Sequence, residues 1–352
     1  MNTVNWDSIP FNPSLLALAR KYREITQAEL HERTGISQAH LSKIEQGLQI
    51  PPSASVDAIA TALRFPVPFF HQEARFFPPL TPFHRKRAGL GKKVQERAEA
   101  LGNLKRIQLL KLLPAVNVDV SVPHLEIEDY KGDPALVAQA IRGFFRLPRG
   151  PIENVTEVLE DHGIFIFLDN FGSVQLDGFT LIGEGYPVIF VNRSFPFDRL
   201  RLNLAHELGH IVMHEIITPS VEDEAWLFAS EFLMPVAEIK DDLRKARSLA
   251  DFADLKRKWK VSMAALIRRS HQLGVISDDR YRYLMQCMAP YRVVEPAMIP
   301  AEKPALFAEL LDAYLVEMKY TQEELLSVLC IDQVLFDELY GEGGIRRIRL
   351  VK

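Results

Sequence analysis

Two histidines and a glutamate lie within five consecutive residues, at a spacing that suits metal chemistry. Residues 206–210 read His-Glu-Leu-Gly-His, and the apolar residues around them predict a helix over 199–214. Because residues four apart share one face of a helix, His206 and His210 can point at one divalent ion. Glu207 could take a proton from a water molecule at that ion. The stretch therefore predicts a zinc site with a general base beside it.

A third protein ligand is required, because a catalytic zinc site combines three ligands with one open position. His214 repeats the four-residue step, but eight residues of helix extend roughly 12 Å. Zinc–nitrogen bonds are only about 2.0–2.1 Å long, so three histidines on one straight helix converge poorly. A second helix with an acidic start is predicted over 221–235. We expect a carboxylate from that helix to complete the site.

Glu222 and Glu224 are the two candidates for this carboxylate. Glu222 shares a helix face with Ala225 and Ala229, whose small side chains would let the second helix approach the histidines closely. Glu224 points elsewhere. We therefore favour Glu222, and the other acid is explained by the preference for negative charge at a helix N-terminus.

These motifs, in this order, resemble the ImmA/IrrE metallopeptidases over about residues 135–245. The resemblance rests on 198–214 and the acidic helix after it, together with 150–154 and 187–192. It implies that His206, His210 and Glu222 bind Zn2+ and that Glu207 is the catalytic general base. The family often has Asn or Asp at the position of Trp226, so a hydrogen bond behind the metal ligands is expected to be missing here.

A second pattern occupies residues 12–70. Thr26 and Glu29 form a predicted capping box, Gly35 breaks the helix that follows, and the next short helix covers 37–45. Short helices joined by a tight glycine turn are typical of a helix-turn-helix, whose second helix enters the major groove. The segment resembles the Cro/C1 (XRE) family, which implies binding to double-stranded DNA.

Polar side chains of this unit are the candidates for DNA contact. Gln38 could bind adenine with two hydrogen bonds, and Lys43 could bind phosphate. The alternative is a small helical domain whose polar residues are only solvated. Residues 1–111 contain 16 basic and 9 acidic side chains, although the chain as a whole is slightly acidic, and this basic end favours nucleic acid. The candidates are Gln27, Ser37, Gln38, His40, Ser42 and Lys43.

The predicted fold class is mainly α with a small β-sheet (α+β). An all-helical helix-turn-helix domain is followed by a zincin-like metallopeptidase domain and a helical C-terminal region. The strands are expected at 164–168, 176–183 and 188–192. The predicted divisions are a DNA-binding domain at 12–72, a Pro-rich and helical connector at 73–132, a metallopeptidase domain at 133–285 and a helical region of unknown role at 286–352.

The connector contains a Pro-rich stretch at 77–82, basic residues at 85–87 and a long helix at 90–113. Leucines along that helix suggest an arm that could form a homodimer, since helix-turn-helix proteins often pair. The sequence shows no convincing internal repeat. No apolar run approaches the length of a membrane span, the N-terminus has no signal pattern, and two distant cysteines fit reduced thiols. These features predict a cytoplasmic protein without a membrane partner.

Two functions follow from these motifs. The first is a DNA-binding transcriptional regulator with a zinc endopeptidase, and the family resemblance implies a repressor or antitoxin as its protein substrate. The substrate could pair with an exposed edge strand, for which we considered 188–192. The second is a non-catalytic transcription factor whose peptidase-like domain senses a metal or a protein partner.

Overall fold

The computed structural model describes residues 9–76, 90–182, 185–215, 218–292 and 294–341. The Pro-rich stretch 77–82 and the basic residues 85–87 lie outside the described residues. Within the described ranges the chain is mainly helical with one small sheet, which confirms the predicted fold class. No helix of those ranges is long and apolar enough to cross a membrane.

The second and third helices begin and end where the sequence predicts. The Thr26 hydroxyl accepts a hydrogen bond from the Glu29 backbone N–H at 3.1 Å, and the Glu29 carboxylate accepts one from the Thr26 backbone. Gly35 ends the second helix with φ of 73°, a conformation that costs glycine little. The helices are α1 Pro13–Tyr22, α2 Gln27–Thr34, α3 Gln38–Glu45 and α4 Ser53–Leu63.

Helix α5, Lys92–Leu112, runs through the interior of the molecule. Its leucines at positions 101, 104, 109 and 112 are all at least 95 % buried by other parts of the chain, including α1. These leucines are therefore not available to a partner subunit, and a homodimer stays a prediction. The same apolar pattern that would suit a partner subunit is used here for packing within one chain.

Three strands form one mixed sheet within the described ranges: β1 Phe165–Asp169, β2 Gly178–Leu181 and β3 Val188–Asn192. Strand β3 lies in the centre, parallel to β1 and antiparallel to β2. The strand positions are confirmed, but 188–192 is not an edge strand. All five of its residues are buried, as expected for a strand with hydrogen-bonded neighbours on both sides and cores on both faces.

The remaining helices cover both faces of the sheet, α6–α9 on one face and α14–α16 on the other. Helix α14 continues into one π-helical turn at Ala313–Glu317. Their bounds are α6 Pro134–Phe144, α7 Val155–Glu160, α8 Phe197–Met213, α9 Val221–Leu233, α10 Val236–Lys245, α11 Leu249–Trp259, α12 Met263–Gln272, α13 Asp278–Cys287, α14 Leu306–Asp312, α15 Gln322–Leu329 and α16 Gln333–Tyr340.

The sheet separates two hydrophobic cores. Phe179 and Phe190 contribute to a core with α1, α5 and the C-terminal helices, whereas Ile166 and Ile189 contribute to a core with α6, α8 and α9. Helix α5 can lie close to the sheet because Gly102 has no side chain: a Cβ there would come within 2.8 Å of the Phe179 ring. The second core supports the helix that carries the two motif histidines.

Two acids, half-buried Glu295 and buried Glu302, tie residues 294–305 to the peptidase-like part of the molecule. The Glu295 carboxylate accepts hydrogen bonds from the Met263 and Ala264 backbone at the start of α12. Glu302 pairs with buried Arg201 and accepts a hydrogen bond from the Thr156 backbone at 3.0 Å. The segment after the predicted division at residue 286 thus packs on α7, α8 and α12. The division itself stays a prediction.

Candidate metal centre and DNA-binding surface

The candidate centre forms where α8 and α9 pack against each other. A Cβ at Gly209 would lie 3.1 Å from the Phe228 ring and 3.3 Å from the Ala225 Cα. The glycine inside the histidine motif therefore provides the close approach of the two helices. The sequence predicted small residues on α9, but it did not identify this partner on α8.

The side chains of His206, His210 and Glu222 converge on one point. The two histidine Nε2 atoms are 3.1 Å apart. Each lies 3.4–3.5 Å from an oxygen of the Glu222 carboxylate. Two atoms bound tetrahedrally to one zinc ion, at about 2.0–2.1 Å each, are roughly 3.3–3.4 Å apart. The donor set and its spacing fit a zinc ion without rearrangement.

The second candidate for the third ligand, Glu224, points to a different partner. Helix α8 ends at Met213, so His214 adopts an extended conformation and its Nδ1 lies 2.8 Å from Nδ1 of His210. Its Nε2 lies 3.0 Å from the Glu224 carboxylate. Burial and the neighbouring His210 lower the pKa of His214 to about 4, so this imidazole is neutral at pH 7. The sequence did not predict that His214 and Glu224 orient His210 from behind.

Electrostatics favour a charged Glu222 beside these rings. Burial alone would raise the pKa of its carboxyl, but hydrogen bonds with His206 and His210 hold that pKa well below the usual range. The carboxylate is thus available as an anionic ligand over the whole physiological pH range.

Glu207 lies beside the cluster and is almost fully buried. The Thr180 hydroxyl on β2 donates a hydrogen bond to its carboxylate at 2.7 Å. Burial raises the pKa of Glu207 although His210 and the Thr180 hydrogen bond act in the opposite direction. A carboxylate with a raised pKa, held in one orientation, is suited to accept and return a proton near neutral pH. Thr180 was not among the residues identified from the sequence.

Trp226 packs on the outer side of His206. The two ring centroids are 4.0 Å apart. Among the described residues, no group hydrogen-bonds to His206 Nδ1 or to Trp226 Nε1, and both atoms are buried. His206 therefore lacks the hydrogen-bond partner that His210 has in His214, in agreement with the expectation at this position.

A cleft of about 580 Å³ opens over these groups. One of its borders is formed by β2 and the residues before it, and β2 lies at an edge of the sheet. Both positive and negative side chains line it, with one ion pair of 2.8 Å between Arg199 and Asp177. The lining beyond the cluster includes Asp177, Phe179, Arg199, Asp223, Trp226 and Arg268.

The candidate DNA-contacting residues lie along α2 and α3. Gln38 and Lys43 are exposed and free to meet a ligand, and Ser37 accepts a hydrogen bond from the His40 backbone as the cap of α3. Gln27 donates a hydrogen bond to Glu45 at 2.9 Å. The exposed candidates are Ser37, Gln38 and Lys43, and the half-buried ones are Gln27, His40 and Ser42.

Comparisons with protein families agree with the helix-turn-helix at the N-terminal end and with the metal centre on α8 and α9. Residues 14–68 match the profile of a helix-turn-helix domain, and residues 159–271 match that of the IrrE N-terminal-like domain. The chain thus contains one segment similar to a helix-turn-helix domain and a second similar to the IrrE N-terminal-like domain. A search of curated proteins found no significant match. The IrrE-like domain family is generally zinc-dependent, which agrees with the donor set found on α8 and α9.

The packing at Gly209 gives a stability prediction for the peptidase domain. Gly209→Val should lower the free energy of unfolding by about 1–3 kcal/mol, because the new side chain would overpack the contact between α8 and α9. The matched control is Gly143→Val on α6, where a Cβ would meet open space. Chemical denaturation of both variants measures the difference. Equal stability of the two would contradict the role assigned to Gly209.

Proposed function

We propose that this chain is a DNA-bound transcriptional regulator with a zinc-dependent endopeptidase, and that it cleaves a repressor or antitoxin protein to control gene expression. The observation that carries the proposal is the convergence of His206, His210 and Glu222 at zinc-ligand spacing, with Glu207 beside them. The helix-turn-helix domain at the other end of the chain would bring this centre to a promoter.

The residues divide the chemistry among them. His206, His210 and Glu222 would hold the zinc ion, which when bound polarises the scissile carbonyl and acidifies water. Glu207 would accept the proton of the attacking water and then pass it to the leaving amine. Thr180 would hold the Glu207 carboxylate in place, and His214 would orient His210 through its second nitrogen.

The cleft suits an extended protein segment. Strand β2 borders it and lies at an edge of the sheet, so a substrate chain could add to the sheet there by main-chain hydrogen bonds. The sequence suggested β3 for pairing with the substrate, but β3 is already hydrogen-bonded to a strand on each side. Charged groups of both signs, such as Asp223 and Arg268, would then select side chains of the substrate.

The proposal is tested by co-incubating the purified full-length chain with regulators encoded near its gene. Zinc-dependent fragments of a repressor or antitoxin, abolished by a chelator and restored by zinc, are expected. Fragments that persist after metal removal would mean that another protease produced them.

DNA binding gives a separate prediction for Gln38 and Lys43. Gln38→Ala should reduce discrimination at one base pair by about 1–3 kcal/mol, because one bidentate contact is lost. Lys43→Ala should instead weaken binding to all sequences and flatten the salt dependence. Titrations of operator and unrelated duplexes at several salt concentrations distinguish the two effects. A folded chain without any salt-dependent DNA binding would contradict this assignment.

The surroundings of Trp226 favour a second candidate function. A ligand histidine without a protein hydrogen bond on its other nitrogen binds metal less firmly, and His206 has this arrangement. A peptidase-like domain of this kind could act as a reversible metal or protein sensor that controls the DNA-binding domain without cleavage. Regulation that survives in a chain unable to cleave would favour the sensor.

A further inference from the structure

Residues 306–341 repeat the architecture of residues 11–46. Helices α15 and α16 have eight residues each, as do α2 and α3. Matched residues are separated by a constant 295 positions, as between Thr26 and Thr321. Our interpretation that the sequence has no convincing repeat is therefore wrong. Identical residues at matched positions are Leu15 and Leu310, Leu16 and Leu311, Thr26 and Thr321, Gln27 and Gln322, Glu29 and Glu324, Leu30 and Leu325, Ile36 and Ile331, and Gln38 and Gln333.

The helix caps repeat as well as the residue types. Thr321 and Glu324 form a capping box at the start of α15, as Thr26 and Glu29 do for α2. Asp332 caps α16 by accepting a hydrogen bond from the Leu335 backbone at 2.8 Å, which is the role of Ser37 in α3.

The backbone turns also coincide. Gly35 has φ of 73° and its counterpart Cys330 has φ of 54°, so both helix pairs are joined through a left-handed residue. Glu24 and its counterpart Lys319 have φ of 55° and 60° before the two capping boxes. Non-glycine residues rarely adopt this conformation, so its occurrence at two matched positions indicates the same chain path.

The buried positions of the two units correspond. An apolar side chain of the first unit is matched by one of the second in the helix before the turn and in both helices of the turn. The matched buried pairs are Leu15 and Leu310, Leu16 and Leu311, Ala19 and Tyr314, Leu30 and Leu325, Leu41 and Phe336, and Ile44 and Leu339. The two segments therefore form the same helix-turn-helix unit around equivalent cores.

The second unit is strongly acidic, whereas the first is nearly neutral. Residues 306–341 contain eight acidic side chains and a single lysine, whereas residues 11–46 contain five basic and four acidic ones. Where α3 presents Ser42 and Lys43, α16 presents Asp337 and Glu338. Acids at these positions repel the phosphates of duplex DNA, so the second unit is not built to read it.

The second unit contacts the first unit directly. The Glu338 carboxylate accepts a hydrogen bond from the Tyr22 hydroxyl at 2.8 Å and two from the Arg23 guanidinium at 2.6 and 2.8 Å. On its other side the unit packs on α5, where the Tyr314 hydroxyl donates to the Leu112 carbonyl at 2.9 Å. Helix α1 also packs on α5, so both units lie side by side on one helix.

We propose that residues 306–341 are a second helix-turn-helix unit that binds protein in place of DNA, and that its Glu338 clamps the first unit against α5. The clamp concerns contacts within one chain, so it does not depend on the proposed peptidase activity or on DNA binding. It gives the C-terminal region a role as the element that sets where the DNA-binding unit sits relative to the peptidase domain.

Hydrogen exchange of the full-length chain tests the clamp. Glu338→Gln keeps the shape of the side chain but removes the charge that Arg23 and Tyr22 contact, so α1 should exchange about fivefold faster. The matched control is Glu323→Gln, which removes an exposed acid elsewhere on the same unit and should leave the exchange of α1 unchanged. Equal exchange of α1 in the two variants would overturn the clamp.

A comparison of matched glutamines tests the loss of DNA reading. Gln333→Ala should leave the DNA affinity and its salt dependence unchanged, while Gln38→Ala reduces discrimination. A tenfold loss of affinity from Gln333→Ala would overturn the proposal, because both units would then read DNA. If the chain binds no DNA at all, the DNA-binding assignment of the first unit fails, and the exchange experiment still decides whether the clamp exists.

Discussion

The His210→Ala variant is expected to be purified without stoichiometric zinc, whereas we expect one zinc ion in the unaltered chain. His210 Nε2 lies 3.1 Å from His206 Nε2 and 3.4 Å from the Glu222 carboxylate, so its removal leaves two of the three ligands. Metal analysis of the purified proteins after dialysis measures the effect. Full zinc retention by His210→Ala would show that the site is assigned wrongly.

Two further variants distinguish a ligand from a supporting residue. Glu222→Ala should lose stoichiometric zinc in the same way as His210→Ala. His214→Ala should keep one zinc ion but bind it about 10- to 100-fold more weakly, because His214 only orients His210 through Nδ1. Competition with a chelator measures that affinity. If Glu224→Ala loses the metal and Glu222→Ala keeps it, the choice between these two acids was wrong.

Glu207→Gln should reduce cleavage of the protein substrate by about 10²–10⁴-fold, because the amide cannot accept the proton of the attacking water. Zinc content and DNA affinity should stay unchanged, since Glu207 lies beside the ligand cluster and contacts Thr180. Single-turnover cleavage assays with equal zinc loading measure the loss. Equal rates for Glu207→Gln and the unaltered chain would assign the cleavage to another protease.

Thr180→Val provides the graded control for that experiment. It keeps the volume of the side chain on β2 and removes the hydroxyl that holds the Glu207 carboxylate, so a smaller loss than that of Glu207→Gln is expected. Its zinc content should be normal. If regulation of target genes persists in Glu207→Gln cells that cleave nothing, the sensor is the better description of this domain.

The sequence was most informative where local chemistry determines structure. Thr26 with Glu29 specified the start of a helix, Gly35 specified its end, and the histidine spacing specified which side chains share a face. Each of these effects acts over a few residues, so no knowledge of the rest of the chain was needed. For the same reason the three strands were located correctly from short apolar runs.

Features that depend on distant packing could not be predicted in this way. The run at 188–192 is equally apolar in a central or an edge strand, and only pairing on both sides reveals its place. The leucines of α5 suit a partner subunit as well as an internal core. Thr180 meets Glu207 only because the sheet and α8 pack together, and nothing in the sequence around Thr180 indicates this contact.

The burial of α5 between early and late parts of the chain has a consequence for biosynthesis. Translation produces α1 and α5 long before α14–α16, and domains generally fold as they emerge, N-terminal first. One side of α5 therefore stays exposed until α14–α16 have left the ribosome. A polypeptide that ends before residue 306 would leave a hydrophobic surface of α5 exposed to solvent. Chaperones and quality-control proteases recognise such surfaces. Helices α14–α16 therefore protect a hydrophobic surface of α5 that the earlier parts of the chain leave open.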